Sequence, residues 1–302
     1  MEKEYCGVIL VNKHKGVTSH DIVFKIRKLY GTKKVGHTGT LDPLATGVLP
    51  ILIGRGAKAA EYLISENKSY RAEVTLGITT DTQDITGEIL EKTDTLPTKE
   101  EFFEACAHFV GKIKQIPPMY SALKVGGKKL CDLAREGITV EREARDIEIF
   151  NIIPRVINEK EGIYEICVDC SKGTYIRTLI YDIGMYLGCG AVMSQLERTV
   201  SGNFKIQDTV TISELENMSL DEREALILPI ESLFSEAPSV TLPDFYARLF
   251  RSGCEIYQAK IKTSFENGAF LRIFDKDGFF AIGEVREYEG GSAIKSLKLF
   301  KL

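Results

Sequence analysis

No apolar run in this chain of 302 residues approaches the roughly 18 to 20 residues that a membrane-spanning helix needs. The opening residues Met1, Glu2, Lys3 and Glu4 lack the apolar stretch of a signal peptide, so a cytoplasmic protein without a membrane is expected. Paired cysteines are also missing. The seven cysteines are odd in number and scattered, which argues for reduced thiols over a disulfide framework. One CxxC, Cys167 to Cys170, falls in a strand-like run where positions three apart face opposite sides. No second pair completes a zinc site, so no metal is expected. No repeat or low-complexity tract occurs, and with 44% hydrophobic and 27% charged residues the chain has the composition of a folded protein.

An overall basic charge is absent too. The formal net charge is -4, which by itself gives no reason to expect a nucleic-acid partner. The distribution differs from the total. Between Glu2 and Lys34 stand eight basic residues (Lys3, Lys13, Lys15, Lys25, Arg27, Lys28, Lys33, Lys34) and three acidic ones (Glu2, Glu4, Asp21), a local excess of +5. Alone, such a run reads as a solvated helix face; its neighbours give it more weight.

Gly7 to Val11 reads as a short apolar strand, and Thr18, Ser19 and Asp21 announce a helix. Ile22, Val23, Ile26, Leu29 and Tyr30 keep helical spacing, and Gly31 closes it. Residues 36–47, with three glycines and a proline, fit neither period and read as a shaped loop before a buried strand, Val48 to Ile53. The loop matches neither G-x-x-x-x-G-K-[ST] nor G-x-G-x-x-G, so it is not a phosphate cradle. Ser69 to Gly77 alternates strictly, with Tyr70, Ala72, Val74 and Leu76 on one face. Thr98 and Glu101 open a helix as a capping box, and Pro117-Pro118 begins a basic stretch holding Lys124, Lys128, Lys129 and Arg135. Strands follow at Asp146 to Ile157 and Ile163 to Cys170, then a helix from about Thr174 to Leu187 and helices at Thr211 to Ser219 and Asp221 to Leu228. Past Pro229, Pro238 and Pro243, short runs between Gly and Asp-Lys-Asp-Gly turns suggest a small all-β domain from about Ser239 to Leu302.

Asp42 is the sharpest candidate for chemistry. An aspartate before a proline commonly just starts a turn. Presented on a tight loop between basic segments, the same carboxylate could meet a polyanion as a nucleophile.

Several blocks together carry a family resemblance. They are Gly7-Val-Ile-Leu-Val-Asn-Lys13, Gly36-His-Thr-Gly-Thr-Leu-Asp-Pro-Leu-Ala-Thr-Gly47, Lys68-x-Tyr70, Gln115-Ile-Pro-Pro-Met-Tyr-Ser-Ala-Leu-Lys124 and Ser171-Lys-Gly-Thr-Tyr-Ile-Arg-Thr178. In this order and spacing, from about residue 6 to 205, the chain resembles the bacterial tRNA pseudouridine-55 synthases, the TruB family. The resemblance implies a mixed α/β fold, a pseudouridine-synthase catalytic domain on a largely antiparallel central sheet at 1–238. It also implies an RNA-binding insertion at about 117–145 and a small β-barrel-like PUA domain at 239–302.

Carried over residue by residue, it makes Asp42 the catalytic aspartate, Tyr70 the tyrosine that stacks on the flipped uracil, and Arg177 the partner of the aspartate. Tyr175 and Leu196 line the pocket, His37 contacts the T-loop, and Lys13 stands near the active-site loop. Lys124 belongs to the insertion that closes on RNA. One departure is Asn12-Lys13-His14, where the family often has Asp-Lys-Pro.

The implied reaction, uridine 55 to pseudouridine in the tRNA T-loop, breaks a C–N glycosidic bond and joins C5 of the base to C1′. Its product is an isomer, so no cofactor is expected. Attack at C6, attack at C1′ and a glycal-type route each use a carboxylate, and the sequence leaves all three open. A stacked base must be flipped out, and an aromatic face such as Tyr70 would hold it. Two other readings compete: a tRNA-binding and folding chaperone with catalysis secondary, and a guide-RNA-dependent relative that needs partner proteins. Intact Asp42, Tyr70 and Arg177 favour catalysis over pure binding, and the absence of long extensions suggests a monomer with no obligatory protein partner.

Overall fold

Burial on both faces explains why the first strand, β1 (Gly7–Lys13), is nearly all apolar. The computed structural model describes residues 5–63 and 67–301. Glu2, Lys3 and Glu4 of the N-terminal charge run, and Leu302 at the other end, lie outside the described residues. Helix α1 (Ser19–Leu29) starts at a capping box: the Thr18 hydroxyl accepts from the Asp21 N–H while the Asp21 carboxylate accepts from the Thr18 N–H. It buries Ile22, Val23 and Ile26. After β2 (Val35–His37) and the Gly-rich loop comes β3 (Thr46–Ile53). Strand β4 (Lys68–Leu76) buries Tyr70, Ala72, Val74 and Leu76, as its alternation requires. A hairpin of β5 (Ile78–Thr80) and β6 (Ile89–Lys92) leads to α2 (Lys99–His108), again opened by a capping box, Thr98 with Glu101.

Strand β7 (Gly111–Gln115) precedes the 117–145 segment, which holds a small hairpin, β8 (Lys124–Val125) with β9 (Lys128–Lys129), and α3 (Leu130–Arg135). The hairpin turns on Gly126 and Gly127, at φ 58° and 85°, the left-handed pair that a two-residue turn demands. Then follow β10 (Arg145–Asn158), β11 (Ile163–Cys170), α4 (Ile176–Tyr186), β12 (Ala191–Ser201), β13 (Phe204–Lys205), β14 (Val210–Thr211), α5 (Ile212–Asn217) and α6 (Leu220–Ala225).

Ten strands form one sheet in the order β14-β1-β3-β12-β4-β11-β10-β7, with β13 on β12 and β2 on β3. The sheet is mixed: among the described residues seven of its strand pairings are antiparallel and two are parallel. The β1–β14 and β3–β12 junctions are parallel, the second near the middle of the sheet, where two distant stretches of chain meet through a long crossover. At that junction Gly47 has φ 101°, and a Cβ there would lie 2.2 Å from the Arg198 carbonyl oxygen. Helices α1, α2, α4 and α5 cover one face through Ile26, Phe102, Ile180 and Leu215. No helix among the described residues is long and apolar enough to cross a membrane.

The C-terminal sheet comprises β15 (Ser239–Thr241), β16 (Ile256–Tyr257), β17 (Phe270–Asp275), β18 (Gly278–Tyr288) and β19 (Gly291–Leu299), ordered β15-β17-β18-β19-β16. The region is not all-β. Helix α7 (Asp244–Arg251) interrupts it, started by Pro243 and Asp244, ended near Arg248 and Arg251, and anchored by Ala247 and Phe250. Phe234, Phe279 and Phe300 pack with Val8, Leu10, Val48 and Leu52, so the far side of β1 and β3 is covered by the C-terminal sheet.

Candidate active site

The loop carrying Asp42 owes its shape to groups outside it. The Ser19 hydroxyl accepts from the Leu41 N–H at 2.8 Å and donates to the Leu41 carbonyl at 3.1 Å. Gly16 N–H donates to the Pro43 carbonyl at 2.8 Å, and the Lys13 ammonium reaches the same oxygen at 3.4 Å while holding Val17 O at 2.8 Å and His14 O at 3.0 Å. On the other side Arg198, 1% exposed, donates through Nε to Val48 O at 2.8 Å and through Nη2 to Gly39 O at 3.2 Å. Backbone polar groups that no strand satisfies are thus paired by side chains from β1, α1 and β12. Between these fixed points the Asp42 side chain stays 36% exposed.

Arg177, in the first turn of α4, is only 4% exposed and connects three segments. Its Nε lies 2.9 Å from Asp42 Oδ2, Nη1 donates to Thr82 O at 2.9 Å, and Nη2 donates to Tyr120 O at 2.8 Å. Asp84 Oδ2 stands 3.6 Å from Nη1. The other Asp84 oxygen accepts from the Thr82 hydroxyl and from the N–H and hydroxyl of Thr86, a side-chain turn that leaves Oδ2 for the arginine. Burial pushes the Asp42 carboxyl above the ordinary aspartate range; the Arg177 guanidinium pulls it back and the Asp84 charge adds to the rise.

Tyr70 lies on β4 opposite Arg198 of β12, 8% exposed. Burial raises its hydroxyl pKa, Arg198 lowers it, and the Asp42 charge adds a smaller rise. Tyr175 caps α4 without a side-chain cap, and Gln115 substitutes: its amide accepts the Tyr175 N–H at 2.8 Å and donates to the Tyr175 carbonyl at 3.0 Å. Leu196, 8% exposed, packs in the same core as Tyr70, and its carbonyl accepts from Thr46 at 3.3 Å. His37 ends β2; its Nδ1 accepts from Gly39 N–H at 3.3 Å, and burial followed by the charge of Arg198 lowers its pKa. Lys124 stands apart, exposed on the β8–β9 hairpin. Sequence reasoning did not single out Asp84, Gln115, Arg198 or the carbonyls of Thr82 and Tyr120. Gln115 and Tyr120 do lie in the block Gln115 to Lys124 that carries the resemblance, and the alternation Thr82-x-Asp84-x-Thr86 is the local signal for Asp84.

Lys13 is fully buried, and desolvation lowers its pKa to about 8, with Asp42 opposing. From about pH 8 to the ordinary lysine value of 10.5 the unfolded chain keeps a proton that the folded one has lost, so the lysine's penalty on stability shrinks as pH rises. Against Lys13→Met, the parent should therefore gain about 2 kcal/mol of unfolding free energy between roughly pH 7.5 and 9.5. Urea titrations of both proteins at the two pH values measure this, and a constant difference would contradict it.

The geometry joins one partly open carboxylate to a buried cation that favours its ionised form, an anion able to act as a base or a nucleophile. The model described as "TruB family pseudouridylate synthase (N terminal domain)" matches residues 27–176, and "tRNA pseudouridylate synthase B C-terminal domain" matches 177–235. A protein of Clostridium tetani named tRNA pseudouridine synthase B is 42% identical over 292 residues, spanning 96% of this chain and 99% of that one. One of the same name from Bacillus pumilus is 45% identical over 284 residues, 91% of this chain and 86% of its own. A solved Cbf5-Nop10-Gar1 complex contains a chain superposing with a TM-score of 0.73 at 26% identity, over 98% of this chain and 85% of that one. A chain in an H/ACA RNP bound to a substrate RNA gives the same TM-score at 24% identity and the same coverage, a likeness of fold.

Proposed function

The chain belongs to the TruB family of pseudouridylate synthases, and from that premise we propose that its cleft performs the family's chemistry with Asp42, Tyr70 and Arg177. It isomerises uridine in tRNA to pseudouridine. The observation that supports the assignment of residues is the Asp42–Arg177 pair at 2.9 Å, with the guanidinium buried and the carboxylate partly exposed. A cation bonded on one side of a carboxylate favours the anion and leaves the other oxygen for the substrate. Asp42 attacks or deprotonates the nucleoside, Tyr70 stacks on the flipped base, and Tyr175 and Leu196 close the pocket around it.

The substrate position in this reading is uridine 55, in the T-loop, approached beside His37, with Lys124 of the insertion on the backbone. Residues 1–238 form the catalytic domain, 239–302 a PUA-like domain that adds affinity for the T-arm, and the protein works in the cytoplasm as a monomer, without a cofactor or protein partner. A chaperone whose main work is folding tRNA is not favoured: a buried guanidinium locked between Asp42 and Asp84 serves no purpose in holding a phosphate backbone.

The test is incubation of the purified chain with an unmodified tRNA transcript, with pseudouridine mapped to the nucleotide. One modified position, uridine 55, is expected. Modification elsewhere alone would overturn the position, and none at all would overturn the assignment of this cleft.

A further inference from the structure

The 117–145 insertion leaves the sheet at Gln115, and its root is bonded to Tyr175 and Arg177. Gln115, 2% exposed, grips the Tyr175 backbone from both sides. Five residues on, the Tyr120 carbonyl accepts from Arg177 Nη2 at 2.8 Å, and the Tyr120 hydroxyl donates to Asp81 Oδ2 at 3.2 Å. Asp81 is itself fixed, its Oδ1 accepting from the Glu88 N–H at 2.8 Å. The loop from Asp81 also supplies Thr82 O and Asp84 to the same guanidinium.

Arg177 therefore lies between two segments that Tyr120 bridges, once through its carbonyl and once through its ring. Two other bonds of the insertion's root, Arg142 to Pro117 O at 3.1 Å and Cys131 N–H to Ser121 O at 3.1 Å, tie it to the rest of the insertion. A shift of the insertion is thus carried to Arg177, which holds Asp42.

We propose that Tyr120 is a positioning residue for catalysis: by holding the insertion's root to Asp81 it sets the carbonyl that orients Arg177, and so couples the place of the insertion to the Asp42–Arg177 pair. The proposal rests on the reading of Asp42 and Arg177 given above. It acts on the chemical step and not on tRNA affinity, because the hydroxyl is engaged by Asp81 while the same residue's carbonyl holds Arg177.

Tyr120→Phe removes only the hydroxyl. The single-turnover rate constant for pseudouridine formation at saturating enzyme should fall about fivefold, the worth of one such hydrogen bond, with the Kd for tRNA within twofold of the parent. Asp81→Ala removes the acceptor together with its bond to Glu88, so the pair is read as a cycle: in the Asp81→Ala background, Tyr120→Phe should change the rate less than twofold. A rate within twofold of the parent for Tyr120→Phe alone, weaker binding at unchanged rate, or a full fivefold loss in both backgrounds would each overturn the proposal. The parent and Asp42→Asn run beside them keep the two readings apart, since an active Asp42→Asn would count against the assignment of the site and not against Tyr120.

Discussion

Asp42→Asn should form no detectable pseudouridine in tRNA, a loss of at least about 10⁴-fold in single-turnover rate, while folding and tRNA affinity stay near those of the parent. The substitution keeps the shape of the side chain and an acceptor for Arg177 Nε, and asparagine is as good a turn residue before Pro43 as aspartate. The Asp42 backbone bonds, including its carbonyl's acceptance of the Ala45 N–H at 3.0 Å, do not depend on the carboxylate. Only the anion is lost. If Asp42 merely starts a turn, the variant works. Tritium release from C5-labelled uridine in tRNA, beside filter binding on the same samples, decides between the two. Near-parental release by a folded Asp42→Asn would remove the carboxylate from the mechanism.

Arg177→Met should lower the rate by about 10² to 10³-fold and also destabilise the fold by about 3 kcal/mol. The guanidinium is 4% exposed and serves Asp42, Asp84 and two carbonyls at once, so its removal leaves buried acceptors without a donor. The figure sits at the low end for a broken buried pair because Asp42 can still meet water. The sign of the pH effect separates an electrostatic role from a structural one. Removing the cation takes away what favours the Asp42 anion, so its pKa rises further and the acid limb of the rate profile moves to higher pH. Arg177→Lys keeps the charge without the planar fork, so it should hold the limb near its parental place while recovering only part of the rate. An acid limb unmoved in Arg177→Met, measured by single turnovers across pH, would contradict this role.

The neighbourhood of Asp42 divides into residues visible from local pattern and residues that only folding brings near. The capping boxes at Thr18 and Thr98, the alternation from Tyr70 to Leu76 and the apolar run of β1 depend on neighbours a few residues away, so period and composition revealed them. Strand β12 escaped such reading although it lies in the middle of the sheet. Its polar residues Ser194, Gln195 and Glu197 and its slips of register after Met193 and Arg198 break the alternation that marks a strand. Helix α7 escaped for another reason: the flanking prolines and later Gly turns read as strand punctuation, while its apolar contacts lie on a sheet formed further along the chain.

By itself, then, the sequence determined the loop at 36–47 as a distinctive element, the identity of its aspartate as a candidate, and the local starts and stops of the helices around it, because these need only short-range sterics and hydrogen bonds. Tertiary structure decided what surrounds the carboxylate. Arg177 meets Thr82 and Tyr120 across 95 and 57 residues, and Arg198 meets Gly39 across 159. No period or propensity encodes such partners. They are chosen when a buried guanidinium, costly to leave unsatisfied, finds carbonyls and carboxylates that distant strands have carried to the same place.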